Sequence, residues 1–275
     1  MGKEIFCIKV TALLPDLKEQ IKALWKSAFG DDDEYIERAF GSFLSEALCF
    51  YTLCDKDIAC VFFTIPTQFK YSDKICRAFY LYGAATKEAL RGKGLFTELF
   101  LFAKESLKSN HSADFIFLVP AKQELFNFYR SFSFTDTAFY ENREIKAEDC
   151  GYNFIRESSV PESLYSLYCK NALSYSHSLV KSEELFVYSV HDKMQDGYIL
   201  YTFDGGFLLE RDGEIFHLCT SSDIDAHRVC ASFAAFTGKE SVSANIFAED
   251  GKPLCMALSL CESKVENILC SLLFE

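Results

Sequence analysis

Apolar positions recur along the chain first at helical and then at strand spacing. Leu17, Ile21, Leu24, Trp25 and Phe29 share one face of a helix over residues 16–29, and Gly30 ends it. Residues 34–44 read as a second helix, with Asp31 to Asp33 placed to cap it, because carboxylates suit a helix N-terminus. Residues 5–11 read as a first strand, and 48–53 with 58–69 as a hairpin around Asp55-Lys56-Asp57. An apolar strand follows at 78–86. The next helix, 95–109, puts Leu95, Phe96, Leu99, Phe100, Ala103 and Leu107 on one face. Residues 114–119 form a buried strand stopped by Pro120, 124–131 a short helix, and 134–145 a closing hairpin.

From Lys146 to Glu162 the pattern turns polar, which places a boundary near Cys150 and two domains at 1–148 and 149–275. In the second domain Pro161 opens a helix over 162–173. Strands at 198–203, 207–210 and 215–219 are divided by turns at Asp204-Gly205-Gly206 and Asp212-Gly213. A helix over 224–236, a strand over 242–247, a turn at Asp250-Gly251 and two further strands complete the reading.

Candidate chemistry concentrates between the 78–86 strand and the 95–109 helix, where Arg91-Gly92-Lys93-Gly94 stands. Glycines let backbone N–H groups approach phosphate oxygens, a helix N-terminus favours negative charge, and Arg91 and Lys93 add cations. Read alone, the tetrapeptide is also an ordinary basic turn. The nucleotide P-loop is excluded, since no Gly-x-x-x-x-Gly-Lys-Ser/Thr occurs. The dinucleotide fingerprint is excluded because Leu95, Phe96 and Thr97 follow Gly94 where a third glycine would be needed.

The stretch resembles motif A of the GCN5-related N-acetyltransferases, Arg/Gln-x-x-Gly-x-Gly/Ala, with Arg91 and Gly94 matching and Phe96 departing from the small final residue. Larger members of the enhanced-intracellular-survival type share a bulky residue there. A second segment, Phe128-Tyr129-Arg130-Ser131-Phe132-Ser133-Phe134, resembles the family's Phe-Tyr-x-x-x-Gly-Phe, with Ser133 in place of the glycine. The resemblance implies an α/β fold with a mixed, mostly antiparallel sheet flanked by helices, followed by a degenerate second copy without a cofactor loop. It also implies an acetyltransferase that uses acetyl-coenzyme A. Ala84, Ala85, Thr86, Arg91, Gly92, Lys93, Gly94, Leu95 and Phe96 would contact that cosubstrate, and Tyr129 would be the general acid. Without the resemblance, Tyr129 is a core tyrosine like others at helical spacing. The family's frequent strand glutamate has no counterpart in 78–86. Glu141, Asp136, Asp31 and the terminal carboxylate of Glu275 are the candidate bases.

Charge narrows the partners. The net charge of −12 argues against nucleic acid. Residues 70–108 nevertheless hold eight basic residues against four acidic ones, a basic island suited to an anionic cosubstrate. The acidic remainder would attract a cationic amine acceptor, small molecule or peptide, or simply confer solubility. The twelve cysteines, without a Cys-x-x-Cys pair, read as reduced core residues, and the five histidines show no metal spacing, so no metal is expected. No apolar run approaches the length of a membrane span, and the first residues lack a signal region, which points to the cytoplasm. A homo-oligomer is left open. The alternative function is an acyl-coenzyme A-binding regulatory or scaffold protein without transfer activity.

Overall fold

The computed structural model describes residues 2–248, 250–261, 263, 265 and 267–270. Contacts divide the chain into two compact units. The first is built from Met1–Thr67, Arg77–Leu118 and Ser259–Glu262, the second from Gln68–Cys76, Val119–Leu258 and Ser263–Glu275. Among the described residues there are seven α-helices and thirteen strands, and no helix is long and apolar enough to cross a membrane.

The first unit runs β1 (Lys3–Lys9), α1 (Pro15–Phe29), α2 (Asp33–Gly41), β2 (Leu48–Cys54), β3 (Asp57–Tyr71), β4 (Lys74–Thr86), α3 (Leu95–His111) and β5 (Phe115–Leu118). Its strands lie in the order β1-β2-β3-β4-β5, with β1/β2 and β2/β3 antiparallel and β4/β5 parallel. Pro15 starts α1 at a position where its missing N–H costs nothing, and Gly30 ends it in the left-handed region at φ 81°. Asp32 caps α2, its Oδ1 accepting from Tyr35 N at 2.7 Å. Successive residues of β3 face opposite sides, which assigns the helices. Phe63 meets Trp25 of α1 and Phe40 of α2, while Phe62 meets Phe96 of α3. Because both faces are covered, β3 is buried almost without alternation from Ile58 to Ile65.

The second unit runs α4 (Gln123–Arg130), β6 (Thr135–Lys146), β7 (Phe154–Arg156), α5 (Leu164–Ala172), β8 (His177–Val180), α6 (Glu183–Gln195), β9 (Ile199–Phe203), β10 (Gly206–Arg211), β11 (Glu214–Thr220), α7 (Ala226–Phe236), β12 (Ser241–Phe247) and β13 (Lys252–Ser259). Its strand path is β13-β6-β12-β11-β10-β9-β7, and β8 pairs with Gln68–Tyr71 at the far end of β3. The stretch β9-β10-β11-α7-β12 repeats the order β2-β3-β4-α3-β5, down to a parallel β11/β12 pair closed by the intervening helix. It is a degenerate copy of the first fold. Its equivalent of the glycine loop, Ser221-Ser222-Asp223-Ile224-Asp225, carries acids, and Asp225 caps α7 through His227 N at 2.9 Å.

Several elements differ from the sequence reading. Residues 135–146 are one strand, not a hairpin. The polar run Glu141-Asn142-Arg143-Glu144 resembles a turn in sequence, but in β6 it faces partly polar surroundings and pairs with all of β12. Helix α6 was not expected, since Ser189, His191 and Asp192 interrupt its apolar periodicity. Nor were the short strands β7 and β8. Of the two strands expected after Gly251, β13 is present, and the remainder falls largely outside the described residues.

Candidate functional site

In the first unit the β4/β5 ladder runs Ala78↔Phe115, Phe79↔Ile116 and Tyr80↔Phe117, and goes no further. Strand β4 continues for six residues to Thr86. Gly83 lies at the divergence with φ 62°, a left-handed conformation that side chains resist. A Cβ there would lie 3.3 Å from the Phe63 ring and 3.7 Å from Trp25, so the backbone conformation favours glycine and the packing leaves a side chain little room. Beyond it stand Ala84, Ala85 and Thr86. In a strand bonded to β3 on one side, alternate N–H groups face the other side, where β5 has ended.

The loop after Thr86 is held at both ends. Lys87 N donates to Ala59 O at 2.9 Å, and Arg91 Nε donates to Thr86 O at 3.3 Å. The Thr86 hydroxyl donates to Cys60 Sγ at 3.2 Å, which fixes its rotamer. Gly92 and Gly94 take φ values of 74° and 76°, and nothing lies within 4 Å of a Cβ on either. Their side is open. Arg91 and Lys93 are exposed on the same turn. Leu95 then starts α3 with no side-chain cap, leaving its first N–H groups to another acceptor. Glu98, the acid in that first turn, is ion-paired with Lys3. The loop thus offers oriented backbone donors, a helix terminus and two cations to an anion. Phe96 does not obstruct it, because its ring packs on Phe62 (5.7 Å) and stacks on Phe100 (6.0 Å).

Tyr129 belongs to the second unit, on α4. Its ring lies edge-on to Phe128 at 5.3 Å and Phe134 at 5.8 Å, and burial pushes the phenol up to about 12. Ser133, in place of the family glycine, adopts φ 70°, so the turn retains the left-handed geometry that glycine would favour.

Each described candidate base has a partner on at least one oxygen, and the other oxygen of Asp136, Oδ1, is buried without one. Arg130 Nη2 donates to Asp136 at 2.5 Å. Arg143 grips Glu141 with two bonds of 2.7 and 2.9 Å, and that pairing holds the Glu141 carboxyl below its ordinary value. Trp25 Nε1 donates to Asp31 at 2.6 Å. Glu275 lies outside the described residues. Sequence reasoning missed Gly83 and the Thr86–Cys60 bond. A glycine inside an apolar strand was the available signal for the first.

Residues 10–136 match the family model described as acetyltransferase (GNAT) domain. Solved structures resemble the chain over most of its length. A conserved protein of Enterococcus faecalis V583, described as a probable N-acyltransferase, superposes with a TM-score of 0.78 at 14% identity, covering 94% of this chain and 73% of that one. Eis1 from Mycobacterium abscessus gives 0.65 at 10%, covering 92% and 66%. A tandem GNAT protein from the clavulanic acid biosynthesis pathway gives 0.52 at 9%, covering 96% and 100%. At such identities the likeness is one of fold. No curated protein matches the chain in sequence.

Proposed function

We propose, from the GNAT domain matched over residues 10–136 and the fold shared with a solved tandem GNAT protein, that the chain is a two-domain member of the GCN5-related N-acetyltransferase superfamily and transfers the acetyl group of acetyl-coenzyme A to a primary amine, on a small cationic molecule or on a peptide. The observation that carries this is the open loop at Arg91–Gly94, with two left-handed glycines, two exposed cations and an uncapped helix start. That set fits a pyrophosphate. We assign cosubstrate contacts to Ala84, Ala85, Thr86, Arg91, Gly92, Lys93, Gly94, Leu95 and Phe96, the last through backbone because its ring is turned inward. The half at residues 1–148 would hold the cosubstrate. In the second copy, Asp223 and Asp225 stand where cations would be needed. The cytoplasm suits twelve thiols that are all free.

The bound cosubstrate supplies a thioester and a thiolate leaving group. N–H groups on the unpaired side of Ala84 to Thr86 would donate to the thioester oxygen as it gains charge. We assign to the Tyr129 hydroxyl a hydrogen bond to the departing sulfur. With the phenol near 12 and a thiol near 8.5, complete transfer from Tyr129 is uphill by about 3.5 pH units, roughly 5 kcal/mol. The proton the thiolate finally takes is better supplied by the attacking nitrogen, which must shed one to become an amide. Such a balance needs no separate carboxylate, and each described candidate already has a partner. The acceptor would enter as the neutral amine.

The test is the pH dependence of coenzyme A thiol release with a panel of primary amines. kcat/KM should climb tenfold per pH unit up to the amine's own pKa. A bend at pH 4–6 would restore a carboxylate base. Binding of acetyl-coenzyme A without release for any amine would favour the regulatory reading.

A further inference from the structure

The second unit contains a cleft of about 600 Å3 lined by none of the residues assigned above to the cosubstrate. Its floor is a side-chain ladder on β6 and β12, where Asn142 and Asn245 stand opposite each other in register. Asn142 Nδ2 donates to Asn245 Oδ1 at 3.1 Å, and Asn142 Oδ1 accepts from the Ser243 hydroxyl at 2.9 Å. Asn245 Nδ2 donates to Phe216 O at 3.4 Å. A primary amide has two N–H donors and two acceptor directions. These bonds therefore fix both amide planes while leaving each a further donor and a further acceptor direction. Gln123, the first residue of α4, adds a third amide to the lining.

The rest of the lining restricts what could bind. Glu141 is neutralised by its two bonds from Arg143, and Asp250 and Lys252 bring one charge of each sign. Among the described lining residues, no charge of one sign prevails. Strand β6 is paired by β12 from Tyr140 to Lys146 and by β13 from Thr135 to Tyr140, so the cleft opens where the β13 ladder ends. The wall at Gly251 is pressed on β6, where a Cβ would lie 2.5 Å from Tyr140 O. Oriented amides with both donor and acceptor capacity suit hydroxyl groups, which do both at once. The volume falls in the range of small-molecule sites.

We propose that this cleft binds an uncharged, polyhydroxylated small molecule of sugar size. The assignment is independent of the acyl-transfer reading, and its test needs no acetyl-coenzyme A. The full chain, 15N-labelled at asparagine, is titrated with D-glucose while side-chain amide signals are followed by NMR. D-glucosamine and D-glucuronate serve as charged arms. The signals of Asn142 and Asn245 should shift saturably with glucose in the millimolar range. Asn245→Asp and Asn142→Asp, which keep the shape and remove donors, should each weaken binding tenfold or more with the backbone spectrum retained. No saturable shift with glucose, unaltered binding in both variants, or tighter binding of either charged sugar would overturn the proposal.

Discussion

Replacing His217 should make the second unit less sensitive to acid. His217 lies on β11 opposite Leu209 of β10, against the Phe207 ring at 5.7 Å, and neither ring nitrogen has a hydrogen-bond partner. Burial, with a smaller contribution from the Lys181 charge, lowers its pKa from 6.5 to about 3. Below pH 6.5 the unfolded chain therefore takes up a proton at this residue while the folded chain does not. Stability falls with pH until about pH 3, where the folded form titrates as well. Each pH unit in that window costs about 1.4 kcal/mol, so about 2 kcal/mol is lost by pH 5. His217→Leu removes the linkage. It also removes two buried nitrogens without partners, which adds about 1–3 kcal/mol at pH 7. Urea unfolding followed by near-UV signal at pH 7, 6 and 5 would measure both effects. Carboxylates contribute equally to the two proteins, so the difference isolates His217. Parallel loss of stability in wild type and variant between pH 7 and 5 would refute the reasoning.

Tyr129→Phe should lower kcat about 10–150-fold, the value of a hydrogen bond to a charged group, with acetyl-coenzyme A affinity unchanged; equal turnover would remove Tyr129 from the mechanism. Because burial keeps that phenol protonated up to about 12, the wild-type rate should level off at the amine's own pKa and show no fall above it near pH 10. Ending the chain after Cys150 strips β6 of both neighbours, β12 and β13, and should yield an aggregating fragment on size-exclusion chromatography. A soluble, active monomer of that length would show that the first half is self-sufficient.

The first half was legible because its elements are long and strongly patterned. Strand β4, the glycine loop and α3 announce themselves through an apolar run, Gly92 and Gly94, and the Leu95-Leu99-Ala103 stripe. The capping carboxylate was readable within a residue of Asp32. The position of β6 was not, because pairing with a strand a hundred residues away leaves no local mark, and its polar ladder looks like a turn. Helix α6 was hidden for a related reason: its buried face includes Ser189, which Lys181 reaches within the core at 3.2 Å. At the site, Phe96 departs from the small residue of the motif, and the sequence does not say where its ring goes. Only its packing on Phe62 and Phe100 shows that it points away from the loop. The bonds that Asp31, Asp136 and Glu141 accept likewise come from partners that spacing does not reveal.

Calorimetric titration would show whether the Arg91–Gly94 loop holds acetyl-coenzyme A. Wild type, Arg91→Glu and Lys93→Glu would be compared. Arg91 also bonds Thr86 O, whereas Lys93 would act by charge alone, so the pair separates loop geometry from electrostatics. Acetyl-coenzyme A should bind the wild type and bind each variant tenfold or more weakly, a loss of about 1.4 kcal/mol. Absence of binding to the wild type, or equal affinity in all three proteins, would contradict binding at that loop.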